Sequence, residues 1–270
     1  MKKSIILQSG KMKKNLFSIK NKVILITGAT GYLGSKMTEH LHQSGAIVIV
    51  FSTSILKATK RCNDLQISST QAYEVDVSSR NSISLAFKKV FNDFGRIDVL
   101  INNAYYGVNK KFDQYTTKDW NKSLEGTIVS IDFTTQEVIQ YMKKNFKSSI
   151  INISSMYGMV SPNPDVYSHE DMINPLSYGV GKAGIIQYTK YMAMKLAQYN
   201  INVNTVSYGP FPNIELVTDK DFLNKLSAKT FLKRIGKPEE VTSALFFLSL
   251  DESSYITGQN IIVDGGWTSW

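Results

Sequence analysis

The residues best suited to do chemistry are Tyr178 and Lys182, in the stretch Tyr178-Gly179-Val180-Gly181-Lys182. A tyrosine and a lysine four positions apart lie one turn from each other on the same face of a helix. A free phenol titrates near pH 10 and carries protons poorly at neutral pH. An ammonium about 4 Å away favours the phenolate by roughly 4 kcal/mol at an effective dielectric near 20, or about a thousandfold in acidity. That brings a tyrosine into the range of general acid–base work. The same spacing occurs on many solvated helices, so the pair carries meaning only through the elements that give it partners.

Those elements begin with Val23-Ile24-Leu25-Ile26, a continuous apolar run expected for a strand buried on both faces. It leads into Thr27-Gly28-Ala29-Thr30-Gly31-Tyr32-Leu33-Gly34 and then a helical pattern ending at Gly45. Strand, glycine-rich turn and helix form the setting in which backbone N–H groups cradle a pyrophosphate at a helix N-terminus. Further strands are expected at 46–51, 71–75, 97–101, 150–155, 201–206 and 260–263. Helices are expected at 79–94, 120–142, 175–199 and 238–250. Strands and helices alternate throughout, which predicts an α/β fold: one Rossmann-type, doubly wound parallel sheet of about seven strands with helices on both faces. Residues 1–20 read as a mobile basic leader and 21–270 as the single domain.

The chain of 270 residues is 43% hydrophobic and 20% charged, an ordinary globular composition. No apolar run approaches the length of a membrane span. The single cysteine, Cys62, allows no internal disulfide, which suggests a reducing, cytoplasmic setting with Cys62 a bystander. The net charge of +9 is spread over scattered lysines, so nucleic acid is not an expected partner and an anionic small molecule is. At the end of the second strand a dinucleotide fold that prefers NAD carries an acid. Here the chain offers Ser52-Thr53-Ser54 with Lys57 and Lys60 beyond, which leans towards NADP(H) over NAD(H) or simply caps the next helix.

Taken together, TGATGYLG, Asp76-Val77, Asn102-Asn103-Ala104, the Asn-Ile-Ser-Ser run ending at Ser155, Tyr178-x-x-x-Lys182 and a glycine–proline turn at Gly209-Pro210 resemble the short-chain dehydrogenase/reductase family over residues 20–270. The resemblance implies an NAD(P)-dependent oxidoreductase. Gly28, Thr30, Gly31, Tyr32, Leu33 and Gly34 then form the cofactor loop, with Ser52 and Thr53 beside the adenosine ribose. Asp76 and Val77 lie at the adenine. Asn102 and Ala104 line the cofactor, and Gly209, Phe211 and Asn213 face its nicotinamide end. Ser155 bonds the substrate oxygen, Tyr178 carries the proton, and Lys182 holds the nicotinamide ribose hydroxyls. No metal is implied. Members of this family are usually homo-oligomers, dimers or tetramers.

The chain departs from the family pattern in several places. Tyr32 stands where the main branch has a glycine, a spacing found among nucleotide-sugar epimerases and dehydratases. Thr127 takes the place of the helix asparagine that completes the proton relay, and Tyr208 that of a turn proline. Ser155 and Tyr178 are 23 positions apart, a longer gap than the family's. The extra segment, 159–176, carries Tyr167, His169, Glu170 and Asp171. With Tyr105 after the fourth strand, Tyr167 and His169 are the expected substrate contacts. The insert, Gly209-Pro210-Phe211-Pro212-Asn213 and the C-terminal stretch are similar to the subgroup called flagellin modification protein A. That implies a sugar phosphate or nucleotide sugar of surface-glycan or nonulosonic acid synthesis. A cofactor-retaining epimerase or dehydratase is the alternative. A non-catalytic nucleotide-binding sensor is a third, which retention of Tyr178 and Lys182 opposes.

Overall fold

The computed structural model describes residues 16–145, 147–169 and 172–270. Seven parallel strands form one sheet in the order β3-β2-β1-β4-β5-β6-β7. The strands are β1 Val23–Ile26, β2 Ile47–Ser52, β3 Ala72–Glu74, β4 Val99–Asn102, β5 Ser148–Ser155, β6 Ile201–Tyr208 and β7 Asn260–Val263. Because side chains alternate across a strand, each apolar run feeds two cores at once. Ile24, Ile26, Val48, Val50 and Ile101 pack with Met37 and Leu41 of helix α1 (Tyr32–Gln43) and Leu245 and Leu248 of α8 (Thr242–Ser249). Val23, Leu25, Ile49, Phe51 and Leu100 pack on the other face with Phe87 of α3 (Arg80–Phe94), Val138 of α5 (Ser130–Met142) and Leu196 of α6 (Leu176–Leu196).

The expected helix over 120–142 is longer and interrupted. It starts as α4 (Thr117–Leu124), fixed by a capping box between Thr116 and Asp119, passes through a π turn at Glu125–Val129, and continues as α5. The helix that the Ser52–Ser54 hydroxyls could cap is α2 (Ile55–Asp64), with Ser54 its cap, and one helix went unread in the sequence, α7 (Lys220–Lys229), capped by Asp219. Residues 1–15 of the expected leader lie outside the described residues. Its last part is not a free tail, since Ile19 is fully buried in the first core. Glu170 and Asp171 of the insert also lie outside the described residues.

A ladder of buried amides and hydroxyls crosses the carboxyl ends of the central strands. Asn102 donates to Asn152 Oδ1 (2.9 Å), Asn152 donates to Thr189 Oγ1 of α6 (2.9 Å), and Thr205 and Thr189 share a bond of 2.7 Å. Asn102 in turn accepts from Thr134 of α5 (2.8 Å). This network ties β4, β5 and β6 to the two helices that cover them.

Candidate active site

The strand order reverses between β1 and β4, and such a switch point opens a crevice at the strands' carboxyl ends. A cavity of about 570 Å³ lies there, lined by the glycine loop, the ends of β2 and β3, and residues 103–106. Gly28 has φ +65°, which a side chain resists. At Gly34 a Cβ would come within 2.1 Å of the Gly28 carbonyl, so only glycine lets the loop close onto the helix start. Gly31 caps α1 without a side-chain hydrogen bond, and the first turn holds no acid. The helix N-terminus is therefore left with its N–H groups and positive dipole end for an anion. The cavity fits the phosphates of a dinucleotide.

Twelve of the sequence-predicted residues line this cavity: Gly28, Thr30, Gly31, Tyr32, Leu33, Gly34, Ser52, Thr53, Asp76, Val77, Ala104 and Tyr105. Ser52 is buried and its hydroxyl bonds Thr30 Oγ1 (3.1 Å), while Ser54, not Thr53, caps α2. Asn102 is not in the cavity, because its side chain is consumed by the buried ladder. Asn103 is the asparagine that lines it, donating to the carbonyls of Thr27 (3.1 Å) and Gly28 (3.2 Å). The double asparagine signalled this site, but the face of a strand end cannot be told from the motif alone.

Gly209, Phe211 and Asn213 lie on the loop after β6, outside the cavity walls. Tyr32 reaches across to that loop and donates to the Pro212 carbonyl (2.9 Å). Phe211 turns inward, against Tyr208 and Gly236. Asn213 Oδ1 accepts from Glu215 N (3.1 Å), so its side chain serves its own turn.

Ser155, Tyr178 and Lys182 do come together. Ser155 ends β5, and its hydroxyl lies close enough to the Tyr178 phenol to favour the phenolate. Lys182 is buried, its Nζ donating to the Ile153 carbonyl (2.8 Å), while its own carbonyl accepts from Ser154 Oγ (2.8 Å). These bonds pin α6 to β5. Across α6, a Cβ on Gly181 would meet Thr127 Oγ1 at 2.4 Å, which explains a glycine beside the lysine. The expected depression of the phenol by the ammonium is not what the geometry gives. Burial raises the Tyr178 phenol above 10, and the nearby Ser155 hydroxyl only partly offsets this. Lys182 Nζ lies 5.5 Å from the Tyr178 ring centroid, and burial lowers its own pKa to about 8.

Thr127 falls in the π turn and spends its hydroxyl on the Ser123 (2.8 Å) and Leu124 (3.3 Å) carbonyls of its own helix. It packs against the catalytic helix and does not reach Lys182 by a hydrogen bond. Tyr167 sits in a small cluster with Tyr157, Met156, Trp267 and Tyr178, above the strand ends. The Tyr167 and Tyr157 hydroxyls are hydrogen-bonded to each other. Tyr157 was not foreseen, although it stands two positions beyond Ser155. His169 is exposed, and its carbonyl accepts from Met172 N (3.1 Å). Tyr105 stands edge-on to Tyr178. Among the described residues no group of three or more His, Cys, Asp or Glu side chains gathers to hold a metal ion.

A dinucleotide cavity at the switch point and a serine, tyrosine and lysine beside it define a nicotinamide-dependent oxidoreductase. Residues 28–268 match the family model described as Enoyl-(Acyl carrier protein) reductase. The chain is 36% identical over 253 residues to the 3-oxoacyl-[acyl-carrier-protein] reductase FabG of Thermotoga maritima, covering 92% of this chain and 98% of that protein. It is 29% identical over 267 residues to the post-translational flagellin modification protein A of Campylobacter coli, covering 92% and 99%. Its fold superposes with a TM-score of 0.82 on a gluconate 5-dehydrogenase from Burkholderia cenocepacia solved with NADP and tartrate, at 26% identity over 94% of this chain and 98% of that one. The chain belongs to the short-chain dehydrogenase/reductase family.

Proposed function

We propose that this NAD(P)-dependent oxidoreductase acts on a hydroxyl-rich, anionic sugar derivative, a sugar phosphate or a nucleotide sugar, on a route to a surface glycan. The observation that carries the reading is the insert 159–176. It sets Tyr167 into the cluster around Tyr178, where the Asn174 side chain lies close enough to favour the Tyr167 phenolate. Beyond lies a second cavity of about 540 Å³, between residues 109–114 and 173–176, walled by Asn109, Lys110, Gln114 and Asn174 together with Phe112 and Leu176. Amides that need partners discriminate for a substrate with hydroxyls to offer. The C. coli relative, a flagellin modification protein, is in keeping with this.

In this reading the glycine loop and α1 hold the cofactor's phosphates, and Ser52 and Thr53, standing at the end of β2 in place of an acid, accept NADP(H) better than NAD(H). The bound nicotinamide supplies or takes up the hydride. Ser155 orients the substrate oxygen, Tyr178 gives or takes the proton at that oxygen, and Lys182 holds the ribose hydroxyls. The protein works in the cytoplasm as a homo-oligomer, without nucleic acid or membrane; no helix among the described residues is long and apolar enough to cross a membrane.

A second reading, reduction of a 3-oxoacyl thioester, draws on the T. maritima relative. The test is nicotinamide absorbance during turnover with keto-sugar phosphates, nucleotide sugars and an acetoacetyl thioester. Consumption with the sugar derivatives supports the proposal, and consumption with the thioester alone sinks it. A sugar product formed without net absorbance change would place the chemistry with cofactor-retaining epimerases or dehydratases.

A further inference from the structure

One side chain stands between the dinucleotide cavity and the catalytic pair. The ring of Tyr105 forms part of the cavity wall, of which Ser155, Tyr178 and Lys182 are not members. The same ring stands edge-on to Tyr178, with centroids 5.2 Å apart and planes at 81°. The Lys182 Nζ lies 5.5 Å from its centroid. The way from the glycine loop to Lys182 therefore runs past this ring.

Tyr105 is seated rather than locked. The residue is 41% exposed. Its hydroxyl rests over Gly107, where an added Cβ would come within 2.5 Å of the phenolic oxygen. Gly107 has no positive φ, so conformational freedom does not explain the glycine; the space for the ring does. What holds the ring is an aromatic edge contact and a cation facing its π system, both weak enough to exchange.

We propose that Tyr105 gates the passage between the dinucleotide cavity and the Tyr178–Lys182 pair, resting on both groups until the nicotinamide end of the cofactor takes its place. The proposal rests on the reading that the cavity takes a dinucleotide. It makes the ring a competitor for Lys182, so part of the cofactor's affinity is used to displace it. By the usual size of the two contacts, removing the ring tightens binding roughly tenfold.

The experiment is equilibrium and stopped-flow binding of NADPH and NADH, followed by nucleotide fluorescence, with melting curves to confirm folding. Tyr105→Ala is expected to bind roughly tenfold more tightly, with faster association. Gly107→Ala, which pushes the ring from its seat, is expected to tighten binding in the native background and to add nothing to Tyr105→Ala. Tight binding by the native protein with unchanged or weaker binding by Tyr105→Ala overturns the gate alone. So does a Gly107→Ala effect that persists undiminished in the Tyr105→Ala background. A native protein that binds neither nucleotide overturns the dinucleotide reading and the gate with it.

Discussion

Lys182 is the most constrained charge in the site. Burial lowers its pKa to about 8, and its one hydrogen bond goes to a neutral carbonyl. Below pH 8 the folded and unfolded chains both hold the proton, and folding bears the full cost of burying an ammonium. Between 8 and 10.5 the unfolded chain holds a proton that the folded chain has released, so this group's contribution to stability rises with pH. Lys182→Met is therefore expected to gain relative to the native protein at neutral pH. Urea titrations should show that relative gain shrinking by about 2 kcal/mol between roughly pH 7 and pH 9.5; a pH-independent difference would mean the lysine is not buried charged. Tyr178 is shifted the other way, so at neutral pH it holds its proton and is ready to donate to an alkoxide formed by reduction. Tyr178→Phe should cost about 10²–10⁴-fold in kcat while leaving nucleotide binding intact. Thr127→Val tests the relay position. Its hydroxyl is spent on its own helix, so kcat is expected to change by less than about threefold, and a loss above tenfold would restore a relay role.

At the scale of elements, the site depends on how α6 is held against β5. The buried ladder from Asn102 through Asn152 to Thr189 and Thr205 does much of this, since each member sits on a different element. Asn152 is fully buried and bonds on both sides, so Asn152→Ala strands the Asn102 amide and leaves Thr189 with Thr205 alone. Chemical denaturation should show a loss of about 2–4 kcal/mol, with kcat falling as α6 loosens; a loss below about 1 kcal/mol would show that water replaces the amide. The same amide explains a sequence reading that missed. Asn102 belongs to the Asn102-Asn103-Ala104 motif, and strand alternation puts one asparagine into the ladder and the other at the cavity. Strands such as Val23–Ile26 were legible because both faces are buried, which leaves an unbroken apolar run. Helix α2 was legible only as something for Ser54 to cap, and α7 not at all, because both are short and polar, with mostly exposed faces and a single-residue start signal, Ser54 or Asp219. The π turn was equally hidden: Glu125-Gly126-Thr127-Ile128-Val129 keeps helical composition, and the extra residue shows only where Gly126 passes under the Tyr106 carbonyl.

For the whole molecule, the cavity lies where the two halves of the sheet diverge, so a ligand there contacts β1, β2, β3 and β4 through their loops. Strand order is a long-range property, and local periodicity cannot supply it; the motif series could, because a glycine loop after the first strand and Ser155 after the fifth must face one crevice. Binding at such a junction stabilises the fold as a unit. A nucleotide present at about a hundred times its Kd adds about 2.7 kcal/mol, which for a chain of this size is a rise in Tm of about 5 °C. NADPH is expected to raise Tm more than NADH at equal concentration, since the end of β2 carries Ser52 and Thr53 in place of the acid that would repel a 2′-phosphate. Arg61 is not free to add to that preference, being held by Glu39 and the Ser35 carbonyl. Lys57 lies in the first turn of α2, four residues beyond Thr53 of the cavity wall, so Lys57→Glu should narrow the gap between the two nucleotides by acting on NADPH. A larger rise with NADH would instead assign the Ser52–Thr53 hydroxyls to the ribose itself, and the phosphate preference would then be wrong.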